Sequence, residues 1–596
     1  MKSRILIGGL LAVAGAALSA SAPGGASDLV VHEWGTFLGM NGSDGVSLDG
    51  MYHEEHALPG FVHARSTDQL RIRSATVKGE TPVIYFYAKR QERVSVTVGF
   101  PGGIWTQWYP QAQFVGPGLI AAGAPPRPRN GRISWNVDVV PADTAVPAMP
   151  RTAAGALWNF AREVDASFVR GVDSTRRVSA AEWERFIFYR GLGEAPLPID
   201  LRVDGGRVTL SAQERDRLQH LYLLRVENGR AAYSYIPALE PGTTIEHAVP
   251  SLDSGWPLDR FVDRIGDDLA ARLVESGLFE KEARAMVNTW RASYFRTDGI
   301  RVLFVLPQEW TDRYIPMQIV PQPAAVVRVM VGRVEVLTPD RERRAERAVR
   351  DLGSPNPATR EAAFTILREE GRYVEPIVRR TLHTSRDERV RTLSRRLLLT
   401  DFVTELRTSI ADAANGEKLP QDPLYARAQL ASLLREVGLN EEAKQEGAAV
   451  LSILERQAPP RMSDHNSRHL YRALARAHEG AGNDAMALQW YGDFVRFGSQ
   501  TQQGTPLRRS ARPGCGGCHA AEGPGDMSFF RDRWAGRKVA EYADRTGQIA
   551  TLIRSHEQAL SANPRDEAAR LSLAYLHERR GDTAKAQTLW SQIDPR

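Results

Sequence analysis

Residues 82–100, PVIYFYAKRQERVSVTVGF, decide how the first half of the chain folds. β-Branched and aromatic residues dominate 82–87, and valines alternate with small or polar residues over 94–100, as in strands. The charged residues 89–93 separate the two runs and favour a turn. This stretch therefore predicts a pair of strands joined by a charged turn.

Further strand signals follow downstream. They lie at 132–140, 199–210 (with a turn at Gly205-Gly206), 220–236, 300–306 and 325–337. Two segments with helical periodicity, 258–278 and 280–293, precede the last two strands. We therefore expect a β-rich, sandwich-like domain over residues 27–339 with helical insertions.

The composition changes at Asp340, where charged helix formers take over. Short helical segments at 345–352, 359–370, 374–382 and 390–399 alternate with breaks. Paired short helices of this kind resemble HEAT-type repeats. The resemblance implies HEAT-like helices over 340–405, and the alternative is an ordinary helical linker.

A second repeat pattern follows. It places a small residue in one helix, a glycine at the turn, and an alanine and an aromatic residue in the next helix. This pattern resembles the tetratricopeptide repeat (TPR), with weaker copies at 430–443 and, as a trailing half only, 559–564. The two full copies are Leu474, Ala475, His478, Gly482, Ala487 and Tyr491, and Leu573, Ala574, His577, Gly581, Ala586 and Trp590. The resemblance implies TPR-like repeats over 406–497 and 535–596, so that an α-helical repeat solenoid follows the β-rich domain.

Between these repeats lies the motif Cys515-Gly516-Gly517-Cys518-His519, whose cysteines are the only two in the 596-residue chain. A C-x-x-C-H run is typical of a site of covalent haem attachment. A thioredoxin-like pair would need a βαβ setting, and a zinc site would need further ligands. A disulfide between the two cysteines would close only a small ring and constrain little of the unfolded chain.

At this motif the chain resembles c-type cytochromes. The resemblance implies one haem c, bonded through Cys515 and Cys518, with His519 as an iron ligand. The haem would lie in an insertion at 498–534 within the helical solenoid. For the sixth iron ligand three alternatives stay open: Met527; a histidine of the neighbouring repeats, which contain His465, His469 and His478; or an open iron.

The N-terminus has the layout of a secretory signal peptide. Lys2 and Arg4 precede the apolar residues 5–18, and small residues follow as far as Ala26. Cleavage after Ala26, which we favour over cleavage after Ala22, would remove residues 1–26 and leave no stable membrane span; the alternative is an uncleaved membrane anchor. We expect a periplasmic or otherwise exported protein, which suits haem attachment.

The charge pattern argues against nucleic-acid binding. The formal net charge is +6, but the arginines are interleaved with acidic residues rather than gathered into a basic block. A protein redox partner, such as an acidic one, therefore fits the sequence better than a nucleic acid.

Histidines and glutamates are concentrated near the start of the mature chain. They are His32 and Glu33 of HEWGTF (32–37), the run His53-Glu54-Glu55-His56, and His63. Such side chains either bind a divalent metal or are hydrogen-bonded loop residues. With ETPVIYFY (80–87) and VRVMVGRVEVL (327–337), HEWGTF resembles a family of exported bacterial proteins, a resemblance that implies no activity.

The leading hypothesis is an exported monohaem c-type protein that transfers or senses electrons and docks a partner through its repeats. One alternative is a metal-dependent oxidoreductase in the β-rich domain that uses the haem as an electron relay. Another is an interaction scaffold stabilised by haem. The sequence assigns no catalytic residue.

Overall fold

The computed structural model describes residues 28–50, 58–64, 75–116, 129–146, 148–153, 155–172, 181–213, 215–414, 423–456, 467–503 and 534–593. Within them, a β-rich body that ends at Val336 is followed by helices from Pro339 onward. The predicted order, a β-rich domain with helical insertions and then a helical repeat solenoid, is confirmed. No described helix is both long enough and apolar enough to cross a membrane. The predicted signal peptide lies outside the described residues.

The described strands are numbered in chain order. They are β1 (Val30–Asn41), β2 (His63–Ala64), β3 (Val77–Tyr87), β4 (Glu92–Phe100), β5 (Gly103–Tyr109), β6 (Phe114–Gly116), β7 (Gly131–Val140), β8 (Phe168–Gly171), β9 (Trp183–Glu184), β10 (Ile187–Gly193), β11 (Ile199–Asp204), β12 (Arg207–Ala212), β13 (Leu218–Glu227), β14 (Arg230–Leu239), β15 (Thr244–Ala248), β16 (Trp256–Pro257), β17 (Gly299–Leu306), β18 (Met317–Val320) and β19 (Ala325–Val336).

The described α-helices are numbered in the same way, and a short 3-10 helix, Gly371–Val374, lies between α6 and α7. They are α1 (Trp158–Arg162), α2 (Leu258–Glu275), α3 (Glu280–Phe295), α4 (Gln308–Tyr314), α5 (Pro339–Asp351), α6 (Pro357–Glu370), α7 (Glu375–Thr384), α8 (Glu388–Ala414), α9 (Pro423–Glu436), α10 (Asn440–Leu454), α11 (Ser467–Ala481), α12 (Asp484–Gln503), α13 (Trp534–Arg545), α14 (Ile549–Ala562), α15 (Glu567–Arg580) and α16 (Thr583–Ile593).

The largest sheet contains ten of the described strands in the order β16-β14-β13-β17-β19-β1-β3-β10-β5-β2. β1 lies inside this sheet, parallel to β19 and antiparallel to β3. Every residue of β1 after Val30 is buried because both faces of the sheet are covered. The polar side chains of HEWGTF must therefore find partners inside the protein.

One face of the large sheet is covered by a second sheet, in which β18, β4, β7, β8 and β9 pair in that order and β6 pairs with β7. In β4 every second residue, from Val94 to Phe100, is buried. These side chains pack with Ile84, Phe86 and Trp105 of the large sheet. The alternation over 94–100 thus reflects a strand with one face in the core.

The predicted strand pair at 82–100 is wrong in its pairing, although both strands exist. β3 pairs with β1 and β10 in the large sheet, whereas β4 pairs with β7 and β18 in the covering sheet. The charged residues between them carry the chain from one layer to the other. The physical reason is that β3 is buried on both faces and β4 on one, so each strand suits a different layer.

The other face of the large sheet is covered by α1, α2 and α3. α2 buries Phe261, Ile265, Leu269 and Leu273, which share one face of the helix because they are four residues apart. The remaining sheet, β11-β12-β15, contains the hairpin predicted at 199–210. The hairpin predicted at 220–236 is β13–β14.

The helical half begins directly after β19. The Thr338 hydroxyl accepts a hydrogen bond from the Arg341 amide, and Pro339 is the first helical residue, a favourable start for α5. The segments predicted as HEAT-like helices are α5 to α8. α8 continues to Ala414, past residue 405, where the sequence predicted the TPR-like part to begin.

Four helical hairpins complete the described chain: α9–α10, α11–α12, α13–α14 and α15–α16. Their turns contain Gly438, Gly482, Gly547 and Gly581, with φ of 80°, 87°, 68° and 87°. This left-handed conformation ends each first helix and favours glycine. The copies found in the sequence at 430–443, 474–491 and 573–590 match three of these hairpins.

The remaining hairpin, α13–α14, was predicted only as a trailing half at 559–564 and is complete in the structure. Its turn glycine follows Ala540 by seven residues, as Gly482 follows Ala475. The second helix departs from the pattern, because Leu552 and His556 stand where α12 has Ala487 and Tyr491. Because of this difference, the sequence pattern matches only part of this repeat.

Candidate functional site

The predicted haem-binding residues Cys515, Cys518, His519 and Met527 lie outside the described residues, as do His53, Glu54, Glu55, His56 and His465. The structure does describe the helices on both sides of the motif. α12 ends at Gln503 and α13 begins at Trp534.

A buried polar cluster joins the helices on the two sides of the motif. Its centre is Glu479 of α11, which is 2% exposed. Lys538 Nζ of α13 lies 2.7 Å from Glu479 Oε1, and Ser432 Oγ of α9 donates to Oε2 at 2.9 Å. The hydroxyl of Tyr491, on α12, also donates to Oε2. This cluster therefore links four helices.

The charges of this cluster are compensated inside the protein. Burial alone would lower the pKa of Lys538, but Glu479, Glu541 and Glu436 raise it above its ordinary value. Lys538 is thus a buried cation. Burial and Glu479 both raise the pKa of Tyr491 well above its ordinary value, so its hydroxyl stays protonated and donates.

A cavity of about 310 Å³ lies among α12, α13, α14 and α15. Leu488 and Val539 form part of its apolar wall, and Arg496, His556 and Ser572 add polar groups. α13 and α14 touch at few residues, whereas the two helices of each other hairpin pack along their length. The cavity is therefore the space left where this hairpin is splayed.

His556 is a residue that the sequence reasoning missed. It follows Gly547 by nine residues, as Tyr491 follows Gly482 and Trp590 follows Gly581. Both aromatic residues are buried, at 0% and 5% exposure, whereas His556 is half-buried and lines the cavity. Counting from the turn glycine would have identified it.

Burial lowers the pKa of His556; Asp566 opposes this effect and Arg496 adds to it. The imidazole is therefore neutral near pH 7, which is the form that binds metals.

Two further candidate iron ligands, His469 and His478, belong to α11. His478 is buried, and its Nδ1 lies 3.4 Å from Asn483 Nδ2 and its Nε2 3.8 Å from Glu455 Oε1. It is not among the residues that line the 310 Å³ cavity. The side chain of His469 lies outside the described part of the chain.

The HEWGTF histidine and glutamate have separate partners. His32 Nδ1 lies 2.8 Å from Glu282 Oε2 of α3. Glu33 accepts from Arg328 Nε at 2.6 Å and from the hydroxyl of Tyr189. Both side chains thus join β1 to neighbouring elements on its two faces.

His63, on β2, lies 3.0 Å from Glu182 Oε1 through its Nε2. Within the described ranges, no group of three or more histidine, cysteine, aspartate or glutamate side chains is arranged to hold a metal ion. His32 and His63 are hydrogen-bonded, but they lie in strands rather than in loops.

No family model and no curated protein matches the chain. One similar solved structure is a Podosopora anserina protein described as a kinesin light chain, with nearly identical TPR-like repeats. The identity is 18%, the match covers 36% of this chain and 89% of that one, and the TM-score is 0.21. The helical repeats are recognised here from their own hairpins and glycine turns, and the resemblances to c-type cytochromes and to the HEWGTF proteins stay predictions.

Proposed function

We propose that this chain is an exported monohaem c-type protein that transfers single electrons or senses redox state, and that its helical repeats dock a protein redox partner. The observation that carries the proposal is the motif itself: the only two cysteines of the chain stand in C-x-x-C-H order. The predicted signal peptide supports it, because haem c is attached outside the bacterial inner membrane.

Three residues would hold the haem. Cys515 and Cys518 would form the thioether bonds, and His519 would supply the proximal iron nitrogen. The haem would provide a reversible one-electron change of its iron. Met527, a histidine or an open position would complete the far side, and the neutral imidazole of His556 joins His465, His469 and His478 as a candidate there.

The flanking helices support electron transfer over the scaffold alternative. α12 packs directly on α13, and the Glu479–Lys538 pair adds a buried polar link across the insertion. These contacts join the repeats on the two sides of the motif through side chains of the repeats themselves. A scaffold that depends on haem would instead need the motif to supply such contacts.

The haem proposal is tested with protein made in a host that attaches haem c. The wild-type protein should exceed its polypeptide mass by one haem and show a haem absorption spectrum. The variant carrying Cys515→Ala and Cys518→Ala should lose both properties. His383→Gln, at an exposed position in α7, should retain both. Colourless wild-type protein with the bare polypeptide mass would refute the proposal.

The far-side ligand is tested by comparing Met527→Ala, His465→Gln, His469→Gln, His478→Gln and His556→Phe. Loss of the ligand should change the electron paramagnetic resonance spectrum and the reduction potential in one variant only, because a sixth ligand sets both. An open iron would leave all five variants unchanged and would bind carbon monoxide in the reduced wild-type protein. A change in Met527→Ala with His556→Phe unaltered would exclude His556.

A further inference from the structure

A second cavity, of about 230 Å³, lies in the β-rich body on the face of the large sheet that α1 and α3 cover. Much of its wall is aromatic and comes from Trp34 of β1, Trp158 of α1, Trp290 of α3, and Phe186 and Phe188 at β10. All five side chains are buried. The cavity is therefore an aromatic chamber between the sheet and the helices.

The aromatic chamber reaches the protein surface on one side. Ala153 and Thr408 line it, and both residues are exposed. Ala156 also lines it and is half-buried. Because these side chains are small, a small molecule can enter from solvent without the displacement of a core residue.

The strands that form the floor of the chamber are irregular. Thr81 of β3 lines the chamber with a φ of 53°, in the left-handed region that non-glycine residues rarely adopt. The pairing of β3 with β1 shifts register between Trp34 and Thr36, and its pairing with β10 shifts between Phe188 and Gly191. Bulges and strained residues are concentrated at binding and active sites. Their coincidence with a cavity favours a binding role for this face of the sheet.

One hydrogen-bond donor in the wall lacks an acceptor. Trp290 is 2% exposed, and no group in the described part of the chain accepts a hydrogen bond from its indole Nε1. Buried polar groups are normally hydrogen-bonded, and an exception often indicates an absent partner. A ligand in the chamber that carries an acceptor would satisfy this donor.

The charge of the chamber favours an uncharged ligand. Arg190 is the one charged side chain among the described residues that line it, and it would repel a cation. Its Nη2 donates to Thr81 Oγ1 at 3.2 Å and its Nη1 to Gln107 Oε1 at 3.5 Å, so the guanidinium already has partners within the protein. An anion would lose its hydration in a mostly apolar cavity, which is costly.

The size and the wall indicate the rest of the ligand. A dry cavity of about 150 Å³ holds benzene, so this chamber has room for one substituted aromatic ring. Aromatic walls favour such a ring through edge and face contacts. A carbonyl oxygen accepts a hydrogen bond and brings no donor of its own that would need a further partner.

We propose that the aromatic chamber binds an uncharged single-ring aromatic compound with a carbonyl group. The ring packs on the aromatic wall, and the carbonyl oxygen accepts a hydrogen bond from Trp290 Nε1. This binding does not involve the C-x-x-C-H motif, so it goes beyond the proposed function and does not depend on it.

The test is calorimetric titration of the full-length, haem-loaded protein with three probes of similar shape. Acetophenone carries the carbonyl, α-methylstyrene has a methylene group in place of the oxygen, and benzoate is an anion. Acetophenone should bind at least about fivefold more tightly than α-methylstyrene, because only the ketone accepts from the buried indole. It should also bind more tightly than benzoate.

The decisive variant is Trp290→Phe, which keeps an aromatic ring and removes the N–H. It should bind acetophenone and α-methylstyrene with equal affinity. Trp490→Phe is the matched control, because Trp490 of α12 also has an indole Nε1 without an acceptor in the described part of the chain, but it does not line the chamber. This control should keep the wild-type ratio of the two affinities.

A second variant keeps the test decisive if Trp290→Phe does not fold. Ala156→Trp places a large side chain at the half-buried part of the wall and should abolish binding of both uncharged probes. Circular dichroism of each variant shows whether it is folded.

The proposal is overturned if acetophenone does not bind, if benzoate binds more tightly, or if Ala156→Trp leaves acetophenone binding unchanged. It is also overturned if the preference for acetophenone persists in Trp290→Phe. Haem content measured on the same samples separates these failures from a failure of the haem proposal.

Discussion

At the scale of single residues, Glu479 links helices that precede and follow the haem motif in the chain. It is buried and receives hydrogen bonds from three other helices through Ser432, Tyr491 and Lys538. A buried carboxylate is tolerated only when it is paired and hydrogen-bonded. Removal of Lys538, its cation, should therefore lower the free energy of unfolding more than removal of an exposed lysine.

Lys538→Met should lower the free energy of unfolding of the helical half by about 3 kcal/mol, because it leaves the carboxyl group of Glu479 in a buried site without its cation. Denaturant unfolding followed by circular dichroism measures the change. Lys444→Met is the control, since the Lys444–Glu441 pair is exposed and should contribute less than about 0.5 kcal/mol. Equal losses in the two variants would contradict the role of the cluster.

Protonation of His478 should make the stability of the folded protein depend on pH in a direction that its surroundings determine. Burial lowers its pKa, and Glu455 only partly opposes this effect. Above about pH 6.5 the imidazole is neutral in both the folded and the unfolded chain. Below that pH the unfolded chain binds a proton that the folded chain resists, so stability falls as the pH drops toward the lowered pKa.

The measurement for His478 is the free energy of unfolding at about pH 7.5 and at about pH 5. The loss on acidification should be smaller in His478→Gln than in the wild-type protein. His383→Gln, at an exposed position, should keep the full loss. An unchanged loss in His478→Gln would show that this histidine does not resist protonation.

At the scale of elements, glycines let the helices of successive hairpins approach closely. A Cβ on Gly480 of α11 would lie 2.5 Å from Ala431 Cβ and 2.9 Å from the Ala431 carbonyl carbon of α9. The carbonyl carbon belongs to the backbone, so one of the two helices has to shift to accommodate a Cβ at this position. A Cβ on Gly492 of α12 would meet nothing within 4 Å.

Gly480→Ala should therefore destabilise the helical half by about 1–3 kcal/mol through overpacking. Gly492→Ala should stabilise it by up to about 1 kcal/mol, because alanine is the better residue inside a helix. Thermal unfolding followed by circular dichroism distinguishes the two. Shifts of the same sign in both variants would contradict the close packing of α9 on α11.

At the scale of the whole molecule, one buried charge network joins the β-rich body to the helices. Glu335 of β19 accepts from Arg301 of β17 at 3.0 Å and from Arg333 at 2.8 Å. From the helical side, Arg372 Nη2 donates to it at 2.9 Å and the Tyr373 hydroxyl at 2.7 Å. Burial alone would raise the pKa of Glu335, but Arg301 and Arg333 hold it below its ordinary value.

Arg372→Met removes one helical contribution and leaves the two strand arginines paired. We expect it to weaken the coupling of the halves by about 2 kcal/mol, the loss for a hydrogen bond to a charged group. Calorimetry should then separate the unfolding of the helices from that of the β-rich body. Arg343→Met, which removes an exposed pair with Asp340, should leave the profile unchanged. A single unaltered transition in Arg372→Met would refute the coupling.

The sequence by itself determined the elements and their order. The alternation over 94–100, the helical periods at 258–278 and 280–293, and the small-residue and glycine pattern at 474–491 all predicted elements that the structure contains. It also identified C-x-x-C-H, because the chemistry of that motif depends on adjacent residues. These signals are local, because the periodicity of a helix or a strand determines which nearby positions in the sequence are apolar.

Only the tertiary structure decided which elements meet. β3 and β4 are neighbours in sequence yet lie in different sheets, and the partner of His32 is 250 residues away. His556 is at a cavity because its hairpin is splayed. These features depend on packing between distant segments, for which no local pattern exists in the chain.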